Sequence, residues 1–494
     1  MYLKNLLSNQ ILSILLTVSV MSSGQLIAQS SPANLPWGDH GIQHPQTGVC
    51  AHLTRLEKRE PVLQMIADAG FTWVRSDFYW SKIETEKGQY SLPENYREII
   101  DEVDAAGLKL VLLLNGKNKL YAPDDYNPEA YAKVSAWLAN EVRGKAGAIE
   151  VLNEPANFGF TGVYGGSWNG VDKEMQEEDW VGKYVQLLNA AAEAIKEVNP
   201  GIKVIGLGSV PPVNFRQIKH GISPAVDGIT DHPYSYRLIP EYLPFAAKDG
   251  ILKRDGIATA DEQGTYASQV QMYFELLEKY KGPKEIWLTE WGYPTFQEKK
   301  SGGLYAGFTQ SAQAKYLLRR LFESLGLGIE VSMIYDFKND GRNPYGAEHN
   351  FGLVDYDLNP KPAFHAVKNF NHFMADYRPS DIKVDVFPVS TRSETQPIIW
   401  DGTKIQATGK VMIYTFADSQ DHQLVAVWSA ERADGDRSSI MGDLEIHPGK
   451  KISTIRAFNP MSGEFQPVDF ITKGERIVIN DFTIPDSPIA LELK

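Results

Sequence analysis

The chain contains a single cysteine, Cys50, so no intrachain disulfide can form. A zinc centre built from several thiolates is excluded by the same count. Cys50 stands between Val49 and Ala51, a setting that reads as a small buried filler rather than a nucleophile. Histidine is scarce, with ten in 494 residues, and only isolated ones are found. Positive charge is outweighed: 49 Lys and Arg against 62 Asp and Glu leave a formal net charge of -13. Such a surface repels phosphate backbones, which argues against nucleic acid as a partner and leaves neutral ligands open. Beyond the first thirty residues no apolar run is long enough to span a bilayer. The glycine-rich piece Tyr164-Gly165-Gly166-Ser167 lacks the lysine and the spacing of a phosphate loop.

The first thirty residues differ from the rest. Lys4 gives a short positive region, Ile11 to Met21 is an apolar run too short for a comfortable span, and Ala28-Gln29-Ser30 supplies small residues for cleavage. Residues 1–30 therefore read as a secretory signal, with a secreted or periplasmic mature chain and no membrane span after cleavage. Composition is otherwise that of a soluble globular protein, 43% hydrophobic and 22% charged. The length calls for two domains. Nothing in the sequence sets an oligomeric state.

From residue 31 to 376 short apolar runs alternate with helical spacings. Gly41-Ile42-Gln43 is taken as part of a first strand, with His44 at its outer end, and FTWVR (71–75) as the second. LKLVLLL (108–114) is almost unbroken in its hydrophobicity, as a parallel sheet covered on both faces requires. About eight strand-then-helix units result, the pattern of an α/β fold of the (β/α)₈ TIM-barrel kind. From residue 377 to 494 the helical patterns stop. Alternating strands separated by turns such as Asp434-Gly435 and Pro448-Gly449 read as an all-β sandwich.

Two strand ends carry the chemistry. The run Ile149-Glu150-Val151-Leu152 stops at Asn153-Glu154-Pro155, where proline ends the ladder. Glu285 to Thr289 stops at Glu290-Trp291-Gly292. Counting strands, Glu154 closes the fourth and Glu290 the seventh, so both rise from the barrel face where active sites sit. A protonated carboxyl facing an ionised one is the arrangement that glycosidic bond cleavage uses.

These motifs resemble the retaining glycoside hydrolases with two catalytic glutamates on a (β/α)₈ barrel. The segments WVRSDFYWSKIETEKGQYSL and DFKNDGRNPYGAEHNFGLVDYDLNPKPAFHAV are most similar to family 39 and its relatives. The resemblance implies a poly- or oligosaccharide substrate, no cofactor and no metal. It implies Glu154 as acid/base and Glu290 as nucleophile, with carboxyl groups roughly 5–5.5 Å apart. Asn153 would bond the sugar 2-hydroxyl, Arg75 would keep Glu290 ionised, and Tyr234 would donate to Glu290. His232 would line the same pocket, with His44 a further rim candidate. Trp291 is a candidate stacking platform, and Tyr335 and Phe337 stand where this group usually carries a tryptophan. The insertion Phe158 to Asp179 is expected to form one wall of the cleft and to help select the substrate.

Two other classes fit less well. A carbohydrate-binding protein that kept the barrel and lost turnover would have no need of both glutamates, the asparagine and the arginine. A metal-dependent hydrolase or lyase needs His and Asp clusters at several strand ends.

Overall fold

The computed structural model describes residues 46–299, 303–390, 398–400, 403–405, 410–433 and 439–494. The segment read as an export signal, the expected strand Gly41–Gln43, His44 and the expected turn Asp434-Gly435 lie outside the described residues.

Eight strands alternate with eight principal helices: β1 (Gln46–Cys50), α1 (Glu60–Asp68), β2 (Trp73–Tyr79), α2 (Glu94–Ala105), β3 (Lys109–Asn115), α3 (Pro128–Glu141), β4 (Ala146–Val151), α4 (Asp179–Val198), β5 (Lys203–Leu207), α5 (Pro211–Lys219), β6 (Gly228–Asp231), α6 (Tyr266–Tyr280), β7 (Glu285–Leu288), α7 (Gln310–Gly326), β8 (Val331–Ile334) and α8 (Pro362–Met374). The strands form one closed parallel barrel, with β8 returning to β1. Among the described residues the first barrel strand is Gln46–Cys50. The small residues of QTGVC let β1 pack tightly between β2 and β8: a Cβ on Gly48 would meet Met333 and Trp73 at 2.9 Å.

Helix starts follow their local sequence. Asn127 caps α3 by accepting from the Ala130 amide, with Pro128 in the first turn where its missing N–H costs nothing. Thr265 and Thr309 cap α6 and α7 in the same way. Long apolar faces then bury against the barrel, as with Val181, Tyr184, Leu188 and Ile195 on α4.

The barrel interior divides into two zones. Its lower part is an apolar plug of Trp73, Val111, Ala148, Ile205, Trp287, Val331 and Met333. Trp73 and Trp287 meet edge to face at 5.0 Å. A Cβ on Gly147 would lie 2.5 Å from the Trp73 ring, so the plug needs glycine there. Higher up the interior turns polar, with Arg75 on β2 and Glu150 on β4. The plug closes one end and leaves the carboxyl ends of the strands for chemistry.

Beyond α8 the described residues form a two-stranded ladder, 398–400 against 403–405, and two larger antiparallel sheets. One has six strands, in the order 464–467, 455–459, 489–493, 423–429, 411–417 and 378–379; the other has four, in the order 383–390, 439–447, 476–485 and 471–473. Val384, Ile413, Val427, Leu444, Ile479 and Leu491 belong to a core separate from that of the barrel. The six-stranded sheet packs on α7, which is buried from Ala312 to its end because the barrel covers one side and the sheet the other. Among the described residues no helix is long and apolar enough to cross a membrane.

Candidate active site

The ends of β4, β6 and β7 and an inward-facing position within β2 supply the site. Past β4 the backbone leaves the ladder through two left-handed residues, Leu152 at φ 62° and Glu154 at φ 37°. For residues with a side chain this costs about 1 kcal/mol each and needs support. Tyr184 gives it by donating to the Val151 carbonyl at 2.9 Å, while Leu152 N donates to the Leu114 carbonyl. Pro155 then opens a short helical turn and Glu154 is turned toward the barrel axis.

Arg75 is the central cation, and it is almost fully buried. Its Nε donates to Glu150 Oε2 at 2.5 Å, Nη1 to Glu290 Oε1 at 2.5 Å and Nη2 to Asn153 Oδ1 at 2.8 Å. The planar fork thus ties β2, β4 and β7 together in one geometry. Because Asn153 accepts through Oδ1, its Nδ2 donor is not spent on Arg75. Tyr234 donates to Glu290 Oε2 at 3.1 Å, so both oxygens of Glu290 are held. Burial and then the Glu290 charge push the Tyr234 phenol well above its usual range, which keeps it a donor.

Glu154 is held from the other side. Its Oε1 faces His232 Nδ1 at 2.7 Å and its Oε2 accepts from Asn157 Nδ2 at 3.0 Å. The second nitrogen, His232 Nε2, lies 3.0 Å from Thr289 Oγ1. Thr289 in turn donates to Glu150 Oε1 at 2.8 Å. Glu150 only accepts, so the threonine proton points at it and the threonine oxygen accepts from His232 Nε2–H. One proton is then shared between His232 Nδ1 and Glu154. Burial pushes the His232 pKa down, but the Glu290 charge and the Glu154 bond carry it above its ordinary value. Burial likewise raises Glu154, and the His232 bond and charge more than offset this, leaving its pKa lowered. Both directions place the shared proton on the imidazole side of the pair.

The two carboxylates and the imidazole converge. One oxygen of Glu154, one of Glu290 and a His232 nitrogen all lie within 4.8 Å of one another.

Arg75, Asn153, Glu154, His232, Tyr234 and Glu290 are thus brought together. Tyr335 stands beside them, 6.4 Å from Tyr234 ring to ring, with its hydroxyl 3.3 Å from His52 Nε2. Trp291 and Phe337 are placed elsewhere. The Trp291 indole is 1% exposed and donates to Ser332 at 3.0 Å, and Phe337 is wholly buried against Phe364. Both belong to the barrel's core packing. Cys50 is buried next to the site, donating to the Thr289 carbonyl, and burial pushes its thiol up.

Sequence reasoning did not single out Glu150, Thr289, Asn157 or His52. A lone acid inside the apolar run of β4 was the available signal for Glu150, since a buried charge needs a partner.

Among the described residues, two groups have donor atoms within reach of one cation: Glu154, His232 and Glu290, and His52, Asp336 and Asp340. In the first each side chain is already engaged by Arg75, Tyr234, Thr289 or Asn157. In the second, His52 Nδ1 pairs with Asp77 and Arg55 pairs with Asp340. A cation there would compete with an existing guanidinium.

No family model and no curated protein matches the sequence. Solved structures do match the fold. The chain superposes on a family 39 glycoside hydrolase from the gut symbiont Bacteroides cellulosilyticus with a TM-score of 0.64 and 20% identity, over 92% of this chain and 82% of that one. It superposes on a glucosidase from Croceicoccus marinus with a TM-score of 0.51 and 12% identity, over 92% and 96% of the two chains. What the chain shares with both is its architecture, a (β/α)₈ barrel carrying a C-terminal β-sandwich.

Proposed function

We propose that the chain is an exported retaining glycosidase of the family 39 kind, acting on a poly- or oligosaccharide. The observation that carries this is the approach of Glu154 and Glu290 to within 4.8 Å, oxygen to oxygen. Retaining sites hold their carboxyl groups about 5–5.5 Å apart, whereas inverting sites leave room for a water at roughly 6.5–9.5 Å. The glycosidase structures that share the fold agree with this reading.

The steps follow from the hydrogen bonds. Glu290, held at one oxygen by Arg75 and at the other by Tyr234, attacks the anomeric carbon. Glu154 delivers the proton it shares with His232 to the departing oxygen. Esterification removes the Glu290 charge, which is the largest influence holding the proton on His232. The pair then has less affinity for a proton, and Glu154 stays ionised to draw one from the incoming water. Asn153 Nδ2 is available to a sugar hydroxyl. These steps call on no metal or cofactor.

The test is hydrolysis of a glycan panel followed by proton NMR of the first-formed product. Retention of anomeric configuration is expected. Inversion would overturn the mechanism, and an inactive parent across the panel would favour a carbohydrate-binding protein. In Glu290→Ala, turnover should vanish and added azide should restore it as a glycosyl azide of opposite configuration. Glu154→Ala should lose about 10²–10⁴-fold on substrates with poor leaving groups. Export would be checked by finding the chain processed near residue 30 outside the cytoplasm.

A further inference from the structure

A cavity of about 480 Å³ opens beside the catalytic pair, and its walls include Glu154, Trp168, Ser209, Tyr236, Leu304 and Glu348. Glu154 lines it and Glu290 does not. It therefore lies on the proton donor's side, where a departing group must sit. This step rests on the glycosidase assignment above.

Trp168 is 40% exposed and lines this cavity. It comes from the insertion between β4 and α4, and that insertion is tied down. The Ser167 amide donates to Glu178 at 2.6 Å, and Asn169 Nδ2 donates to the Arg254 carbonyl at 2.7 Å. Buried Arg216 clamps the carbonyls of Asn169 and Asp255, joining the insertion to the helix Asp249–Asp255. The Arg254 guanidinium lies 5.5 Å from the Trp168 ring. The indole is thus a fixed platform on the cavity wall, held by the insertion and by the helix Asp249–Asp255.

The wall also carries the Glu348 carboxylate, and Glu348 is exposed. An aromatic face and a carboxylate on one wall together suit a pyranose ring, whose C–H face would stack on the indole while a hydroxyl donates to Glu348.

We infer that this cavity is the leaving-group subsite, that it takes a second sugar ring, and that Trp168 is its specificity-determining platform. The substrate is then a glycan with a sugar on both sides of the scissile bond, rather than a glycoside of an apolar alcohol or phenol.

The test compares leaving groups. Trp168→Ala, Trp168→Phe and the parent are assayed on xylobiose, cellobiose, mannobiose and lactose, on the matching glycosyl fluorides, and on the matching 4-nitrophenyl glycosides. Fluoride has no ring to place in the cavity. Trp168→Ala should lower kcat/KM on the preferred disaccharide about 10-fold, the loss expected for one stacking contact. It should leave the fluoride within about two-fold and the Phe variant close to the parent. Equal loss on disaccharide and fluoride, or no loss on either, would overturn the inference. So would a loss confined to the nitrophenyl glycosides, which marks a site for apolar leaving groups. Titration of the same disaccharides into Glu290→Ala, read by tryptophan fluorescence, scores the platform without turnover. A signal that disappears when Trp168→Ala is added supports it, and no signal in Glu290→Ala overturns it. A parent inactive on every substrate would defeat the glycosidase assignment instead, and the titration would still score the platform.

Discussion

Thr289 directs its single hydroxyl proton to Glu150 at 2.8 Å, and that bond fixes the tautomer of His232 two atoms away. With Nε2–H committed to the threonine oxygen, Nδ1 either carries the shared proton or faces the Glu154 carboxylate bare. Thr289→Val keeps the shape and removes the acceptor. A bare Nε2 then becomes the cheaper state in the buried site, and the remaining proton moves to Nδ1 as a donor to ionised Glu154. The variant should lose about 10-fold in kcat/KM, and the basic limb of its pH profile should move to lower pH. Unchanged limbs in Thr289→Val would show that the tautomer is set elsewhere.

Arg75→Lys keeps the charge and discards the fork. Lysine reaches one of Glu150, Asn153 and Glu290, not all three in a plane. Breaking buried ion pairs of this kind costs on the order of 3 kcal/mol. Chemical denaturation should show that loss, and kcat should fall with it because Glu290 loses its orientation. A variant with native stability and normal turnover would mean that charge alone is enough at this position.

The barrel was legible because each strand reads as an apolar run ended by a turn residue, as in LKLVLLL and the EIWLT that precedes Glu290. The fork on Arg75 was partly legible, since an arginine facing two carboxylates invites pairing, although β2 runs on to Tyr79 and leaves Arg75 inside the strand rather than at the end expected of FTWVR. Glu150 and Thr289 were hidden by their position inside strands, where the surrounding hydrophobics dominate the pattern. His232 was visible only as a rim residue; its proton role depends on partners 57 and 78 positions distant in sequence. The fate of Trp291 follows from its place beside Glu290: neighbours on a strand face opposite ways, so a glutamate in the site puts the indole in the core.

The sandwich reaches the loop that carries His232 and Tyr234 through Glu241. Trp428, from the six-stranded sheet, donates to Glu241 Oε1 at 2.7 Å, and Arg319 on α7 grips both oxygens of the same carboxylate. Arg320, the next residue on α7, bonds Ser235 at 2.8 Å and the Pro240 carbonyl, which holds the segment carrying His232 and Tyr234. Trp428→Phe removes one donor from a buried carboxylate and should cost about 1–3 kcal/mol of stability. Deleting residues 377–494 should leave no soluble folded barrel, because α7 would expose Arg319, Phe322 and Glu323 together. Recovery of an active barrel from that deletion would contradict the arrangement.

Glu323, also on α7, gives the last prediction. Tyr414 donates to its Oε1 at 3.1 Å, while Oε2 is buried without a partner. Burial, and after it the Glu241 charge, push its pKa up to about 8. In the unfolded chain the same group ionises near pH 4.3. Between these values the folded protein keeps a proton that the unfolded chain has released, so stability falls as pH rises across that window. The slope is on the order of 1 kcal/mol per pH unit at most. Below pH 4 the contribution is fully present, and above pH 8 it is gone. Glu323→Gln stays neutral throughout and still accepts from Tyr414 through its amide oxygen. Its amide nitrogen finds no acceptor where Oε2 stood, a penalty that is the same at every pH. The variant should therefore melt at or below the parent at pH 5 and gain on it steadily up to pH 8.5. Parallel melting curves for the two proteins across that range would show that Glu323 is ionised in the folded state well below pH 8.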